Sequence, residues 1–441
     1  MDQDKEYVLK LAHANKVKFI RLWFTDILGF LKSFAITIEE LEDALAEGVR
    51  FDGSTLLGFA RDDEREMIAL PDASTFRILP WRPREDSVAR IFCDIHLTDM
   101  SPFEGDPRYV LKRNLTKAAE KGYTFYTGPE IEFFFFKNAH STETLDTGGY
   151  FDLTPLDTAS DYRRRAVLIL EEMDIGVISS HHEAAYSQHE IDLRHEDALT
   201  MADNIMTFKL IAKEIGQLNG IHTSFMPKPI TDQNGSGMHI HQSLFAGESN
   251  TFFDAAKPNF LSDIGRAYVA GLLRHCKEFF AISNQWVNSY KRLQYGFESP
   301  THISWGLGNN TSLIRVPQCP KHKPNSQRVE LRNPDPACNP YLLFSAILAS
   351  GLKGIEEGYT LPEPFDMKPG TQHRESLGRQ GIDPIPASLR EALRHLEGSA
   401  LMEDALGPFI KNAFIQNKLM EIEKFNIHVT DFELKEYLPR L

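Results

Sequence analysis

Two carboxylates run straight into four phenylalanines: Glu130-Ile131-Glu132 is followed by Phe133, Phe134, Phe135 and Phe136. In a β-strand, residues two apart share a face, so Glu130 and Glu132 point together from a segment whose continuation is strongly apolar. Burying such a pair costs several kcal/mol, on the order expected for unpaired charges, unless cations compensate. The chain must therefore bring positive charge to this strand or leave it as a solvated edge.

Three further clusters share that character. His181-His182-Glu183 is followed by His189-Glu190. Asn234-Gly235-Ser236-Gly237-Met238-His239-Ile240-His241 reads as a glycine-rich turn entering a strand with two histidines on one face. Arg328-Val329-Glu330-Leu331-Arg332 alternates, with Val329 and Leu331 facing the core. Singly, each has a bland account as a satisfied core histidine, a turn or a surface ion pair. Together, five glutamates and one or two histidines beside apolar partners suit hard divalent cations such as Mg²⁺ or Mn²⁺. No cysteine falls in any cluster, which disfavours structural zinc. Arg292, Arg315, Arg328 and Arg332 lie near these groups in sequence. Metal-holding carboxylates with arginines around them are the equipment of phosphoryl transfer to an anionic acceptor. The chain has neither GxxxxGK[ST] nor GxGxxG, so P-loop and Rossmann sites are set aside.

Composition narrows the partners. A formal charge of −14 over 441 residues argues against nucleic acid or an anionic membrane as the main partner. The four cysteines are scattered, without a CxxC pair, which suits a reducing compartment. The N-terminus lacks an uninterrupted apolar stretch, and Tyr341 to Leu352 is too short to span a bilayer. A cytoplasmic protein is expected.

Periodicity predicts an amphipathic helix over 5–15 and a hairpin from two period-2 stretches around the turn Asp26 to Gly29. A helix over 38–47 and a strand over 88–96 complete a small α+β unit, with the boundary in the Pro- and Gly-broken stretch after Asp99. Residues 1–103 and 104–441 are thus expected as two domains. In the second, helices are predicted near 107–121, 162–173, 198–215, 260–284 and 340–357. Gly216 is placed at the end of the third, and Pro362 to Pro386 is read as a long loop.

The motifs FDGSTLLGF from Phe51, PFEGDPR from Pro102, GPEIEFF from Gly128, GGYFDL from Gly148, HHEAAYSQHEID from His181, FMPKP from Phe225, NGSGMHIH from Asn234, NSYKRL from Asn288 and RVELRNPDPACNPYL from Arg328 occur in this order. By these stretches the chain resembles, end to end, the glutamine synthetases of the short, feedback-inhibited type I bacterial and archaeal form. The resemblance implies an α+β fold: an N-terminal β-grasp-like domain and a catalytic domain with an antiparallel, barrel-like sheet flanked by helices. It implies ATP-dependent joining of L-glutamate to ammonia through γ-glutamyl phosphate. It also implies inter-subunit sites in a homo-oligomer, a dodecamer of two hexameric rings.

Residue by residue, the resemblance implies two or more Mg²⁺ or Mn²⁺ ions per site. One would rest on Glu132, Glu183 and Glu190, the other on Glu130, His239 and Glu330. Arg292 and Arg332 would hold glutamate, with Asn234 and Gly235 lining its pocket. Arg315 and Arg328 would meet the ATP phosphates, with His241 and Ser243 along the nucleotide. Asp52 and Ser54 from a neighbouring subunit, with Tyr150, Glu183 and the flap residue Glu298, would form the ammonium site. Asp52, Glu298 and Arg315 would be catalytic. Arg61 matches a residue that senses glutamine.

Three departures stand out against the family pattern. Leu307 to Ser312 replaces the usual Arg-Asn-Arg-Ser run, so Asn310 stands where an arginine normally contacts the transferring phosphoryl group. The flap reads Gln294-Tyr295-Gly296-Phe297-Glu298. The loop Pro317 to Gln327 carries Lys321, His322 and Lys323, one of which is a candidate for the missing cation. The region around Pro362 lacks the tyrosine context of the adenylylated long type. Two other readings compete: a γ-glutamyl ligase of the same family that accepts an amine or polyamine, and an inactive structural or regulatory homologue.

Overall fold

The computed structural model describes residues 2–58, 65–308, 310–365 and 382–441. The N-terminal part is built on the predicted hairpin. Strands β1 (Val17–Thr25) and β2 (Leu31–Thr37) pair antiparallel through the turn in which Asp26 accepts the Leu28 and Phe30 amides. With β3 (Val49–Asp52), β4 (Glu66–Pro71), β5 (Arg77–Ile78) and β6 (Ser87–His96) they make a sheet of order β2-β1-β6-β4-β3, in which β5 pairs with β6. The β1–β6 pair is parallel. A parallel neighbour needs a crossover, and the helix Leu41–Glu47 lies in that connection, burying Leu41 and Leu45 in one cluster with Ile20, Leu22 and Ile91. This is a β-grasp-like arrangement.

The other face of that sheet is apolar too. Trp23 and Phe92, with ring centroids 5.5 Å apart, join the core of the larger part. The junction is also tied by charge. Arg108, at the start of the helix Pro107–Glu120, reaches Asp94 of the small sheet, Asp72 in the turn just after β4, and Asp203 of the long helix Ala198–Leu218. Asp106 caps the first helix by accepting from the Arg108 amide, and Pro107 sits at the position where its missing N–H is harmless.

The larger sheet contains ten strands among the described residues. They are β7 (Thr124–Phe136), β8 (Val177–His182), β9 (Gln188–Leu193), β10 (Glu196–Asp197), β11 (His222–Ser224), β12 (Met238–Ala246), β13 (Ser249–Asn250), β14 (Trp305–Gly306), β15 (Ile314–Arg315) and β16 (Val329–Leu331). Its main path is β14-β15-β16-β12-β7-β9-β8, and it is curled, with helices on its outer face. Pleating divides the apolar run of β7. Ile131, Phe133 and Phe135 pack outward with Phe208 and Phe225, while Phe134 and Phe136 stack on the inner face with Ala185. Each buried phenylalanine contributes about 1.5–3 kcal/mol, which fixes this strand and hence the direction of the two glutamates that precede them.

One expectation is corrected. The long helix does not stop before Gly216 but runs to Leu218, with Asn219 as its cap and Gly220, at a φ of 68°, just beyond. Gly216 serves packing: a Cβ there would meet Thr223 Oγ1 at 2.5 Å, where β11 folds back on the helix. The predicted loop over 362–386 falls mostly outside the described residues.

Candidate active site

Strand register puts the charged residues in rows across the inner face. Arg315 lies opposite Glu330, and Glu330 opposite His241. His239 lies opposite Glu130, and Glu130 opposite Asp192. Glu132 lies opposite Glu190, and Glu190 opposite His181. Same-face cross-strand neighbours sit about 4.5–5.5 Å apart at Cβ, so residues from six strands, β15, β16, β12, β7, β9 and β8, become one charged surface. Most of that surface lines a cavity of 710 Å³, with Glu330 and His241 set behind the lining residues.

In the first cluster, Glu130, His239 and Glu330 offer ligand-type atoms within 4.8 Å of one another. Glu330 is fully buried and clasped by Arg315 and Arg332. Burial works to raise its carboxyl, but the surrounding positive charge, that of Arg332 first, holds the group below the usual range. Burial likewise works to raise Glu130, and hydrogen bonds from His239 and His241 overcome it, holding it well below that range. Burial, with the nearby Arg332 charge, pushes the His239 imidazole down to about 4, so it is neutral at pH 7. Its Nδ1 then donates to Glu130 at 3.1 Å. The lone pair on Nε2 is left buried with no hydrogen-bond partner, 3.8 Å from Glu132 Oε1. In the other tautomer the Nδ1 lone pair faces Glu130 at 3.1 Å and Glu330 at 3.7 Å, and an imidazole lone pair among carboxylates fits a hard divalent cation.

In the second cluster, Glu183 and Glu190 come together with His181. Glu132 stands beside them, its Oε2 accepting from Gln188 Nε2 and the Gly237 amide, both at 2.9 Å. Burial and the Glu183 charge push Glu132 up to about 7. Burial and the Glu132 charge push Glu190 well above the usual range. Carboxyls that crowd one another in this way are relieved by a cation, and the donor set fits one. Gly237 is needed for closure: a Cβ there would lie 2.5 Å from Arg292 Nη2 and 2.9 Å from His239 Nε2.

The remaining predicted residues divide. Asn234, Gly235, Glu298, Tyr150, Arg315 and Arg332 line the cavity, and Asn234 Nδ2 approaches Glu298 Oε2 at 3.4 Å. His241 donates from Nε2 to Glu130 Oε1 at 2.6 Å and accepts at Nδ1 from Arg328 Nε at 3.2 Å. Ser243 lies two residues further along the same face of β12 and is buried. Arg292 does not reach the cavity surface. It is buried behind the glycine-rich turn, donating to the carbonyls of Arg332, Asn333 and Pro334. Asp52 and Ser54 lie on the small sheet, with Ser54 donating to both Asp52 carboxylate oxygens, and do not line the cavity of their own chain. Arg61 lies outside the described residues. Lys321, His322 and Lys323 are exposed and absent from the cavity wall; Asn310 is on it.

Sequence reasoning assigned no role to His181, Gln188 and Asp192, all on the wall. Their signal was available: His181 and Gln188 each sit two residues before a glutamate of the site, on the same strand face. Behind the wall, buried Asp146, His182 and His189 form a further cluster. His182 bridges Asp146 Oδ1 at 3.1 Å and the Glu183 carbonyl at 2.7 Å, while Arg163 donates to His189 Nδ1 at 2.8 Å. A guanidinium on one member makes this a brace for the adjoining Glu183 and Glu190 rather than a cation site.

A β-grasp-like domain joined to a curled sheet with a carboxylate-, imidazole- and arginine-lined inner face defines a two-domain enzyme built around polyvalent charge. Family models described as "Glutamine synthetase, beta-Grasp domain" and "Glutamine synthetase, catalytic domain" match residues 16–98 and 104–437. The chain belongs to the glutamine synthetase family. It is 48% identical to the glutamine synthetase of Mycolicibacterium smegmatis, covering 99% of this chain and 100% of that one. It is 47% identical to that of Methanosarcina mazei, covering 99% and 98%. Among solved structures, a GmaS complex with ADP superposes with a TM-score of 0.88 at 30% identity, covering 98% of this chain and 99% of that one.

Proposed function

We propose that this chain is a glutamate–ammonia ligase that consumes ATP, and that its reaction centre is the carboxylate-lined cavity. The observation that carries the reading is the convergence of two cation-competent clusters and the Arg315–Glu330–Arg332 clasp on one wall. Mg²⁺ or Mn²⁺, on Glu130, His239 and Glu330 and on Glu132, Glu183 and Glu190, would neutralise the phosphates and the glutamate carboxylate.

In the first step an oxygen of the glutamate γ-carboxylate attacks the γ-phosphorus of ATP and ADP leaves. Arg315 and Arg328 meet phosphate charge, and Arg332 meets the acceptor. Arg292 acts through the main chain, holding the carbonyls beside Arg332 and backing Asn234 and Gly235. His241 and Ser243 lie along the nucleotide; the ADP in the similar GmaS structure supports a nucleotide in this fold. In the second step Asp52 and Ser54 of a neighbouring subunit, with Tyr150, Glu183 and Glu298, bind ammonium and accept its proton. The nitrogen then attacks the acyl carbon and phosphate leaves. Closing Glu298 over the centre excludes water from the acyl phosphate.

The same reading includes a dodecamer of two rings, a cytoplasmic setting, a glutamine contact at Arg61 and a domain boundary between residues 103 and 104. Among the described residues no helix is long and apolar enough to cross a membrane. The test is a product assay with ATP, glutamate and a panel of ammonia, methylamine, ethanolamine and putrescine. Ammonia should be preferred over the three amines in kcat/KM, with glutamine as the dominant product. An amine that outcompetes ammonia at equal free base would replace this reading with the γ-glutamyl-amine ligase.

A further inference from the structure

A second cavity, of 680 Å³, lies away from the charged wall, where the β1–β2 turn meets the larger part. Its apolar lining includes three large side chains that stay exposed: Phe30 at 45%, Met226 at 43% and Phe425 at 40%. Trp286 stands beside them, 6.0 Å from the Phe30 ring. Three lysines share this wall. The ammoniums of Lys209 and Lys213 lie 5.8 and 5.9 Å from the Phe225 ring centroid, and that of Lys291 lies 5.3 Å from Phe425. The lining holds one carboxylate, Glu421, which is already engaged by Lys418 at 3.0 Å and the Val287 amide at 2.9 Å. Burial and the neighbouring Lys213 charge push the Lys209 ammonium down to about 8. Positive charge is therefore crowded over apolar surface in an acidic protein, and among the described residues none of these three lysines forms an ion pair. Its volume lies in the range of small-molecule sites, about 300–1,000 Å³.

The wall of this cavity is also the back of the charged one. Pro227 accepts from the Ser236 amide at 2.9 Å, and its carbonyl would lie 2.2 Å from a Cβ at Gly235. Asn288 exchanges hydrogen bonds with the Lys228 main chain at 2.8 and 3.0 Å and directly precedes the short helix Ser289–Arg292. A shift at Pro227 or Asn288 is thus delivered to the glycine-rich turn and to Arg292.

We propose that this cavity is an effector site for a small amphipathic monoanion: an apolar body seated on Phe30, Met226 and Trp286, with one carboxylate between Lys209 and Lys213. The site goes beyond the ligase reading and can be tested without turnover. Equilibrium dialysis of the assembled enzyme against 4-phenylbutyrate should show saturable binding, about tenfold tighter than for 4-phenylbutylamine, which keeps the apolar body and reverses the charge. The Lys209→Met/Lys213→Met chain should bind 4-phenylbutyrate about tenfold more weakly. Met226→Asp, at an exposed position that leaves the core intact, should do the same. Saturating 4-phenylbutyrate should move the KM for glutamate at least about twofold in wild type and not in either variant. Equal binding of acid and amine, wild-type affinity in the variants, or binding only after the oligomer dissociates would overturn the site. Binding with an unchanged glutamate KM would overturn its standing as an effector site.

Discussion

The main-chain carbonyl of Asn310 accepts a hydrogen bond from Arg332 Nε at 3.0 Å. The side chain of Asn310 does less: its Oδ1 meets Arg315 Nη1 at 3.4 Å, near the limit of a hydrogen bond. The main-chain bond survives any substitution, so this position is free to vary in charge while Arg332 stays in place. Asn310→Arg is therefore expected to leave turnover unchanged or raise it, since a longer cationic side chain can extend over the cavity. Steady-state kinetics at saturating ATP and glutamate check this. A loss of tenfold or more, about 1.4 kcal/mol in barrier, would show that Asn310 fits a different acceptor geometry.

The buried carboxylates carry a second prediction. Glu132→Ala and Glu330→Ala should each lower turnover by about a hundredfold or more, because phosphoryl transfer then proceeds beside unneutralised charge. Glu330→Ala also strands Arg315 and Arg332, so Glu330→Gln is the control that keeps the side-chain volume. Isothermal titration with Mn²⁺ separates a lost ion from a lost fold. Wild-type Mn²⁺ affinity in both alanine variants would remove the cation assignment.

A third prediction concerns acid stability at the domain junction. Burial alone would raise the Asp72 carboxyl, but the Arg108 charge and hydrogen bonds from Ser74 and Arg108 hold it at about 2, below the ordinary 3.8. A group depressed in the folded state contributes stability that is fully present above its unfolded pKa and lost as pH falls toward the folded one. The window is therefore about pH 4 down to about 2, and the contribution is about 2 kcal/mol. Asp72→Asn should unfold at lower urea than wild type at pH 6, with the gap closing toward pH 2. A gap that does not narrow with pH would mean that Asp72 acts only by packing.

What could be read from the sequence followed alternation. Glu130 and Glu132, His239 and His241, and Arg328 to Arg332 announced their shared faces through the period of two, and the phenylalanines announced that the strand carrying the first pair continues into apolar surroundings. Which strand lies beside which is set by register across loops of tens of residues, and no local pattern carries that. Hence the pairing of Glu132 with Glu190, the diversion of Arg292 to main-chain carbonyls, and the Asp146–His182 brace became visible only in three dimensions. Gly216 misled for a related reason: its missing side chain answers to Thr223, seven residues on and folded back, rather than to its own helix.

The last prediction turns on Asp52. Its own chain's cavity already holds Tyr150, Glu183, Glu298, Arg315 and Arg332 on one wall, and Asp52 is not among them. It lies instead at the end of β3, in an edge strand of the small sheet, where Ser54 fixes its carboxylate through amide and hydroxyl at 2.9 and 2.8 Å. A carboxylate oriented so closely at a sheet edge suits a cavity on an adjoining copy. If it completes the ammonium pocket there, Asp52→Ala and Arg332→Ala damage opposite halves of a shared site. Each variant alone should be nearly inactive while still assembling. Dissociated, mixed in equal amounts and reassembled, they should regain a fraction of wild-type activity, about a quarter for random pairing at each interface, because one arrangement in four unites an intact Asp52 with an intact Arg332. Asp52→Ala should also raise the KM for ammonia far more than those for glutamate or ATP. Reassembled mixtures with no more activity than their parents would mean that Asp52 does not act across a subunit boundary.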